Sequence, residues 1–230
     1  MTIFRGIKGL GFDLDGTLVN SLPGLASAVD STLNELNLPV AGEERVSRWI
    51  GNGASILMMR ALTWAGSAAS PEQVDNARAL FDRHYSDAVE QGTQLYPHVI
   101  PTLQTLANNG MKMALVTNKP TQFLRPLLNS LGILDYFSVI MGGDDVVEKK
   151  PHPAPIYLVL GQLGLRASEL IFVGDSRNDI QAGLAAGCPT VALSYGYNYG
   201  ESIALSHPDC VLDSFADLLP IIEQSNSTKN

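Results

Sequence analysis

Short apolar runs that end in polar loops alternate with segments of helical periodicity along most of this chain. Residues 7–13 run apolar into Asp13 and Asp15, then meet Gly16 and Thr17. Similar runs recur at 113–116, 137–141, 170–173 and 190–193, each followed by Gly, Thr, Asn, Asp or Ser. Runs of this length bounded by turn residues predict buried strands. Between them, helical patterns at 99–108, 121–131, 153–163 and 179–186 are closed by Gly110, Gly132, Gly164 and Gly187, where a residue free to adopt positive φ ends a helix. Strand and helix alternating on this scale predict an α/β fold: a doubly wound, Rossmann-like parallel sheet covered on both faces.

One segment breaks the alternation. From residue 22 to 92 the apolar positions recur only at helical spacing: Leu25, Val29, Leu33 and Leu36, then Val46, Trp49 and Ile50, then Ile56, Leu57, Leu62 and Trp64, then Val74, Leu80, Phe81 and Tyr85. Pro23 and Gly24 precede the segment's periodic part, and Gly92 and Pro97 follow it, the punctuation of two linkers crossing between domains. The expected organisation is a core of residues 1–21 and 93–230 interrupted by an all-helical cap, 22–92.

Composition narrows the class of partner. The 230 residues are 45% hydrophobic and carry a net charge of −8, so a surface built to neutralise nucleic-acid phosphates or an anionic membrane is not expected. The expected partner is a small molecule met at one local site, with the chain acting as a monomer or a homodimer. Cys188 and Cys210 form neither a disulfide framework nor a zinc spacing, which fits a reducing compartment. Charge interrupts the apolar residues at 1–11, so that segment reads as a strand and not as a secretory signal, and the expected location is the cytoplasm. The tail from 224 carries an Asn226-Ser227-Thr228 acceptor pattern that reads as an ordinary polar terminus.

The candidate chemistry lies at the strand ends. Asp13-Leu14-Asp15-Gly16-Thr17 places two carboxylates two positions apart after the first strand, so one can attack while the other moves protons. Gly174-Asp175-Ser176-Arg177-Asn178-Asp179 puts a second acidic pair after another strand. A doubly wound sheet gathers such ends at one edge. Each like-charge pair there costs about 4 kcal/mol at ~4 Å and an effective dielectric near 20, which implies a divalent cation. Oxygen ligands without His or Cys favour a hard ion, and a phosphate substrate favours Mg²⁺. Thr117-Asn118-Lys119 ends the second strand with groups that can hold an anion, and Lys150 in Lys149-Lys150-Pro151-His152-Pro153 offers a cation suited to a transferring phosphoryl group.

In order, DLDGT, VTNK, KKPHP and GDSRND resemble the motifs of the haloacid dehalogenase-like phosphatase superfamily, over almost the whole chain. The segments ERVSRWIGNGA, GGDDVVEKKPHPAP and SYGYNYGE extend the similarity to bacterial members that hydrolyse 2-phosphoglycolate. The resemblance implies an Mg²⁺-dependent phosphomonoester hydrolase that converts 2-phosphoglycolate to glycolate and phosphate through an aspartyl-phosphate. It implies Asp13 as nucleophile and Asp15 as acid and base. The metal would be held by Asp13, the Asp15 carbonyl and Asp175; Thr117, Asn118 and Lys150 would hold the phosphoryl oxygens, with Asp179 behind them. Asn20 departs from the Asp usual in this family, and the expected consequence is a changed hinge contact.

Specificity is expected from the cap. Gly51-Asn52-Gly53 precedes a helical pattern and can offer bare N–H groups to a small carboxylate, with Arg48 three residues upstream. The equal alternative packs Trp49 and Ile50 inside the cap and leaves Arg48 in water. No chemistry is assigned to His84, His98, His152 or His207. The motifs do not separate a phosphatase of broad specificity or a phosphosugar mutase from this reading, and a phosphoaspartate receiver module is a more distant alternative.

Overall fold

The first apolar run becomes β1 (Gly9–Phe12), starting two residues later than the pattern suggests because Gly6, at φ +69°, turns the chain before it. The computed structural model describes residues 3–223, so the Asn226-Ser227-Thr228 pattern lies outside the described residues. A short β2 (Val19–Asn20) leads into four helices, α1 (Leu22–Glu35), α2 (Glu43–Ser47), α3 (Ala54–Trp64) and α4 (Pro71–Ala88). The chain returns through β3 (Gln94–Leu95), which pairs antiparallel with β2. Alternation then resumes with α5 (Val99–Asn108), β4 (Lys112–Val116), α6 (Leu124–Ser130), β5 (Val139–Met141), α7 (Ala154–Leu163), β6 (Leu170–Gly174), α8 (Arg177–Ala186), β7 (Thr190–Leu193), β8 (Cys210–Leu212) and α9 (Leu218–Ile221).

The main sheet is parallel throughout, in the order β5-β4-β1-β6-β7-β8. Its side chains divide by the two-residue period of a strand. Leu10, Phe12, Met113, Leu115, Ile171 and Val173 join the core under α5, α6 and α9. Ala114, Val116, Leu170 and Phe172 join the opposite core under α7 and α8. Phe12 is fully buried between Phe137 and Phe215, at centroid distances of 6.3 and 5.8 Å, and burial of one such ring contributes roughly 1.5–3 kcal/mol.

Two features differ from the pattern read along the chain. The sheet has a sixth strand, β8, whose apolar run Cys210-Val211-Leu212 is only three residues long and carries one buried side chain, Leu212. The helix expected over 121–131 opens with a 3-10 turn at Thr121–Phe123 before α6.

The helical segment packs through α1 on α4 and continues the core of the sheet domain without a break. Its α4 begins at a capping box, with Ser70 Oγ accepting from Gln73 N–H at 3.3 Å and Gln73 Oε1 accepting from Ser70 N–H at 3.0 Å. Tyr85 stacks on Phe81 and meets Phe123 edge-on across to the sheet domain, at 5.3 and 5.0 Å. At the crossing, Gly24 N–H donates to Gly92 O at 3.1 Å, and a Cβ on Gly92 would lie 2.3 Å from Gly24 Cα. Only glycine lets the two linkers approach so closely. Among the described residues, no helix is long and apolar enough to cross a membrane.

Candidate active site

The strand order reverses about β1, and the carboxyl ends of β1, β4 and β6 open there into one crevice, the usual place for a ligand in such a sheet. Asp13 sits on the rung that follows β1, its N–H bonded to Val173 O at 3.0 Å. Asp175 follows β6, held by Thr17 Oγ–H at 2.6 Å and by the Tyr197 N–H at 2.6 Å. Gly16, at φ +91°, has no room for a side chain: a Cβ would stand 2.2 Å from Asp175 Oδ2.

Lys150 Nζ lies at the centre of this group. It donates to Val116 O at 2.6 Å and to Asp179 Oδ1 at 2.7 Å, and stands 2.9 Å from Asp13 Oδ1 in an ion pair without hydrogen-bond geometry. Asp179 Oδ2 in turn accepts from the N–H and Oγ–H of Ser176, at 3.0 and 2.6 Å. Burial lowers the Lys150 pKa, but Asp13 and Asp179 beside it outweigh that and raise it to about 12. Burial also dominates at Asp13, with Lys150 opposing it, and pushes its carboxyl up to about 6; Asp175 is pushed up by burial and by Asp179 and Asp13.

Those two carboxyls fit a cation. Carboxylate oxygens of Asp13, Asp175 and Asp179 all lie within 4.8 Å of one another, all three residues are buried, and Asp13 Oδ1 has no hydrogen-bond partner. Lys150 alone among the basic groups touches them, which leaves negative charge uncompensated in a medium where each pair costs several kcal/mol. Asp179 accepts three bonds, one from Lys150 on Oδ1 and two from Ser176 on Oδ2, so its place is behind the site, while Asp175 accepts only one on each oxygen and, like Asp13, keeps lone pairs for an ion.

Asp15 has a different partner. Lys119 Nζ donates to its two oxygens at 2.9 and 3.2 Å and to Tyr85 Oη at 2.5 Å, and is itself buried. Burial alone would lower the Lys119 pKa, but Asp15 and Tyr85 raise it above the ordinary lysine value. Thr117 Oγ accepts from Lys119 N–H at 3.3 Å, which leaves the hydroxyl proton to donate elsewhere.

Asn118 lines the same cleft, but its side chain is engaged within the protein. Its amide donates to Lys150 O at 2.8 Å and to Gly51 O at 2.9 Å, and its Oδ1 accepts from Lys150 N–H at 3.1 Å. The side chain expected to hold phosphate is committed instead to clamping Lys150 and docking the helical segment. Gly51 O also accepts from Asn178 Nδ2 at 3.0 Å, while Tyr199 Oη donates to Asn52 Oδ1 at 2.9 Å.

Gly51, Gly53 and Ala54 line the cleft above Asp13 and Asp15, together with Leu25, Ile50, Leu57, Phe81 and Tyr85. Asn52 and Arg48 do not line it. The Asn52 amide oxygen faces Arg60 and Tyr199. Arg48 points into water beside Glu44, at 3.2 Å, and Trp49 packs near Trp64, at 6.0 Å. Of the histidines, none lines the cleft, and His84 pairs with Glu35. The reading from sequence missed Lys119, Thr17, Ser176 and Asn178; Ser176 meets its partner Asp179 within the string GDSRND, but the partners of Lys119, Thr17 and Asn178 lie 104, 158 and 127 positions away.

Residues 11–193 match the family model described as "Haloacid dehalogenase-like hydrolase". The chain is 64% identical over 222 residues to the phosphoglycolate phosphatase of Yersinia pseudotuberculosis, covering 96% of each chain. It is 60% identical over 227 residues to that of Pectobacterium atrosepticum, covering 99% of this chain and 97% of the other. A crystal structure described as a predicted phosphoglycolate phosphatase from Haemophilus somnus superposes with a TM-score of 0.90 at 46% identity, over 94% of this chain and 98% of that one. With aspartates at the ends of β1 and β6 sharing a crevice with Lys150, and with a family match that covers most of its length, the chain belongs to the haloacid dehalogenase-like hydrolases.

Proposed function

We propose that this chain is a phosphoglycolate phosphatase: it hydrolyses 2-phosphoglycolate to glycolate and phosphate with Mg²⁺ bound, and residues 22–92 act as a cap over a core of 1–21 and 93–230. The observation that carries the chemistry is the placement of the Asp13 carboxylate 2.9 Å from Lys150 and at the floor of a cleft walled by apolar residues of the cap. The substrate rests on the similarity to the curated relatives.

Asp13 attacks phosphorus, a P–O bond to its carboxylate forms, and the bond to the bridging oxygen breaks. Asp15 gives its proton to the departing alkoxide, which leaves as the glycolate hydroxyl. Water then attacks the aspartyl-phosphate, Asp15 takes its proton, and phosphate departs with Asp13 regenerated. Thr117 Oγ–H and Lys150 Nζ donate to the phosphoryl oxygens, and Asp179 fixes Lys150 from behind. Asp13, the Asp15 carbonyl and Asp175 would hold the Mg²⁺, which supplies positive charge against the phosphoryl oxygens. Leu25, Ile50, Leu57 and Phe81 exclude bulk water from the acyl phosphate until the leaving group has gone. Two free thiols, Cys188 and Cys210, agree with action in the cytoplasm.

The test is phosphate release from 2-phosphoglycolate and a panel of other phosphomonoesters, with Mg²⁺ and with EDTA, beside Asp13→Asn. Metal-dependent release that prefers 2-phosphoglycolate and disappears in the variant is expected. Release without preference would remove the substrate assignment, and undiminished release by Asp13→Asn would remove the mechanism.

A further inference from the structure

2-Phosphoglycolate carries a carboxylate as well as a phosphate, and the cap offers no charged group to receive it: Arg48 faces water, and the cap residues lining the cleft are apolar or glycine apart from the Tyr85 hydroxyl. The lining contains one basic side chain, Lys119, contributed by the core. It is 5% exposed as a residue, and its ammonium is held between Asp15 and Tyr85. Resting on the reading above, we infer that Lys119 is the specificity-determining residue that receives the substrate's carboxylate.

The geometry follows from the shape of the substrate. In 2-phosphoglycolate a single carbon separates the bridging oxygen from the carboxylate. The group that protonates the one must therefore stand about a hydrogen bond away from the group that binds the other. Asp15 and Lys119 stand in that relation, at 2.9 Å. An ammonium has three donors. One serves Asp15 Oδ1 and one Tyr85 Oη, while the remaining contact, to Asp15 Oδ2 at 3.2 Å, is the longest and the readiest to exchange for a carboxylate oxygen. The Nζ also stands 4.6 Å from the centroid of the Tyr85 ring, so the cap residue that touches Lys119 helps to fix its direction. Apolar Ile50, Leu57 and Phe81 around it leave a longer or more polar substituent without partners.

Altering Lys119 also disturbs Asp15, so the informative quantity is a ratio: kcat/KM for 2-phosphoglycolate over kcat/KM for 2-hydroxyethyl phosphate, which has the same bridge and no carboxylate. Effects transmitted through Asp15 cancel in it. Loss of a charge-assisted hydrogen bond to the carboxylate is expected to lower the ratio roughly ten- to hundredfold in Lys119→Met, with inhibition by glycolate weakened and inhibition by inorganic phosphate retained. Lys119→Gln, which keeps a donor toward Asp15 and Tyr85, is read in the same way should the Met variant not fold. Arg48→Ala is expected to leave the ratio unchanged. A wild-type enzyme with no preference for 2-phosphoglycolate would overturn the substrate reading and this inference together. A wild-type preference that both Lys119 variants keep, or that Arg48→Ala abolishes, would overturn the Lys119 assignment alone.

Discussion

Lys150 Nζ donates to Asp179 Oδ1 at 2.7 Å with both side chains all but sealed from water, so each charge helps the other to be tolerated there. Asp179→Asn keeps the shape and the contact to Ser176 but leaves the lysine with less compensation. Breaking a buried pair from one side costs about 3–5 kcal/mol, and the loss should fall toward the lower end because Asp13 still stands 2.9 Å away. Urea unfolding of the variant should show that loss. Its kcat should fall about 10–100-fold, the usual effect of removing a group that orients a catalytic one. Unfolding at the wild-type midpoint would contradict the coupling.

The metal should matter more for stability as pH rises. Burial raises the Asp13 pKa from 3.8 to about 6, so the folded protein without metal binds a proton there more tightly than the unfolded chain does. Stability from this group is complete below pH 3.8 and is lost as pH rises through about 6. Asp175 shifts in the same direction. Mg²⁺ competes with those protons, so its affinity grows over that range. Thermal melts with EDTA and with saturating Mg²⁺ should therefore diverge more at about pH 7.5 than at about pH 5. Equal separation at both would show that the ion binds elsewhere.

The sheet was legible because its strands are buried on both faces, which writes them as continuous apolar runs such as 170–173, and those of β1, β4 and β6 lead into the residues that the site uses. Edge strand β8 is written as only three apolar residues, Cys210-Val211-Leu212, of which Val211 faces outward. Asp13 and Asp175 could be singled out because they follow strand ends, and Asp179 and Lys150 because they stand in the ordered strings GDSRND and KKPHP. Lys119 and Asn118 could not be given their partners. The Lys119–Asp15 contact spans 104 positions, and the two amide bonds of Asn118 reach 67 and 32 positions away. Periodicity reports which face a residue occupies, and carries nothing about which distant side chain will meet it there.

The loop at Gly51 and Asn52 is held by side chains of α8 and of the segment that follows β7. Asn178 Nδ2 donates to Gly51 O at 3.0 Å and to Tyr199 Oη at 2.8 Å, and Tyr199 passes the contact on to Asn52. Asn178→Ala removes the centre of this chain, so the loop should spend more time away from the core. The expected result is a KM for 2-phosphoglycolate raised several-fold, on the order of one lost hydrogen bond of about 1 kcal/mol, with binding of inorganic phosphate little changed. Steady-state kinetics and phosphate inhibition measured side by side would expose the opposite pattern, in which phosphate binding weakens and KM does not move.

At the other crossing, Asn20 Oδ1 accepts from the Leu22 N–H at 3.2 Å and from the Tyr197 hydroxyl, joining the start of α1 to the loop that also anchors Asp175. Both contacts use the residue only as an acceptor, a role that a carboxylate fills at least as well. A negative charge there would also face the positive end of the α1 dipole, a stabilisation of about 0.3–1 kcal/mol. Asn20→Asp is therefore expected to raise the melting temperature slightly and to leave kcat and KM unchanged. Asn20→Ala deletes both acceptors, and the freed Tyr197 loop should loosen Asp175, so this variant should need more Mg²⁺ for half-maximal activity. Magnesium titrations of the two variants against wild type separate these outcomes, and an unchanged requirement in Asn20→Ala would show that the hinge and the metal site are independent.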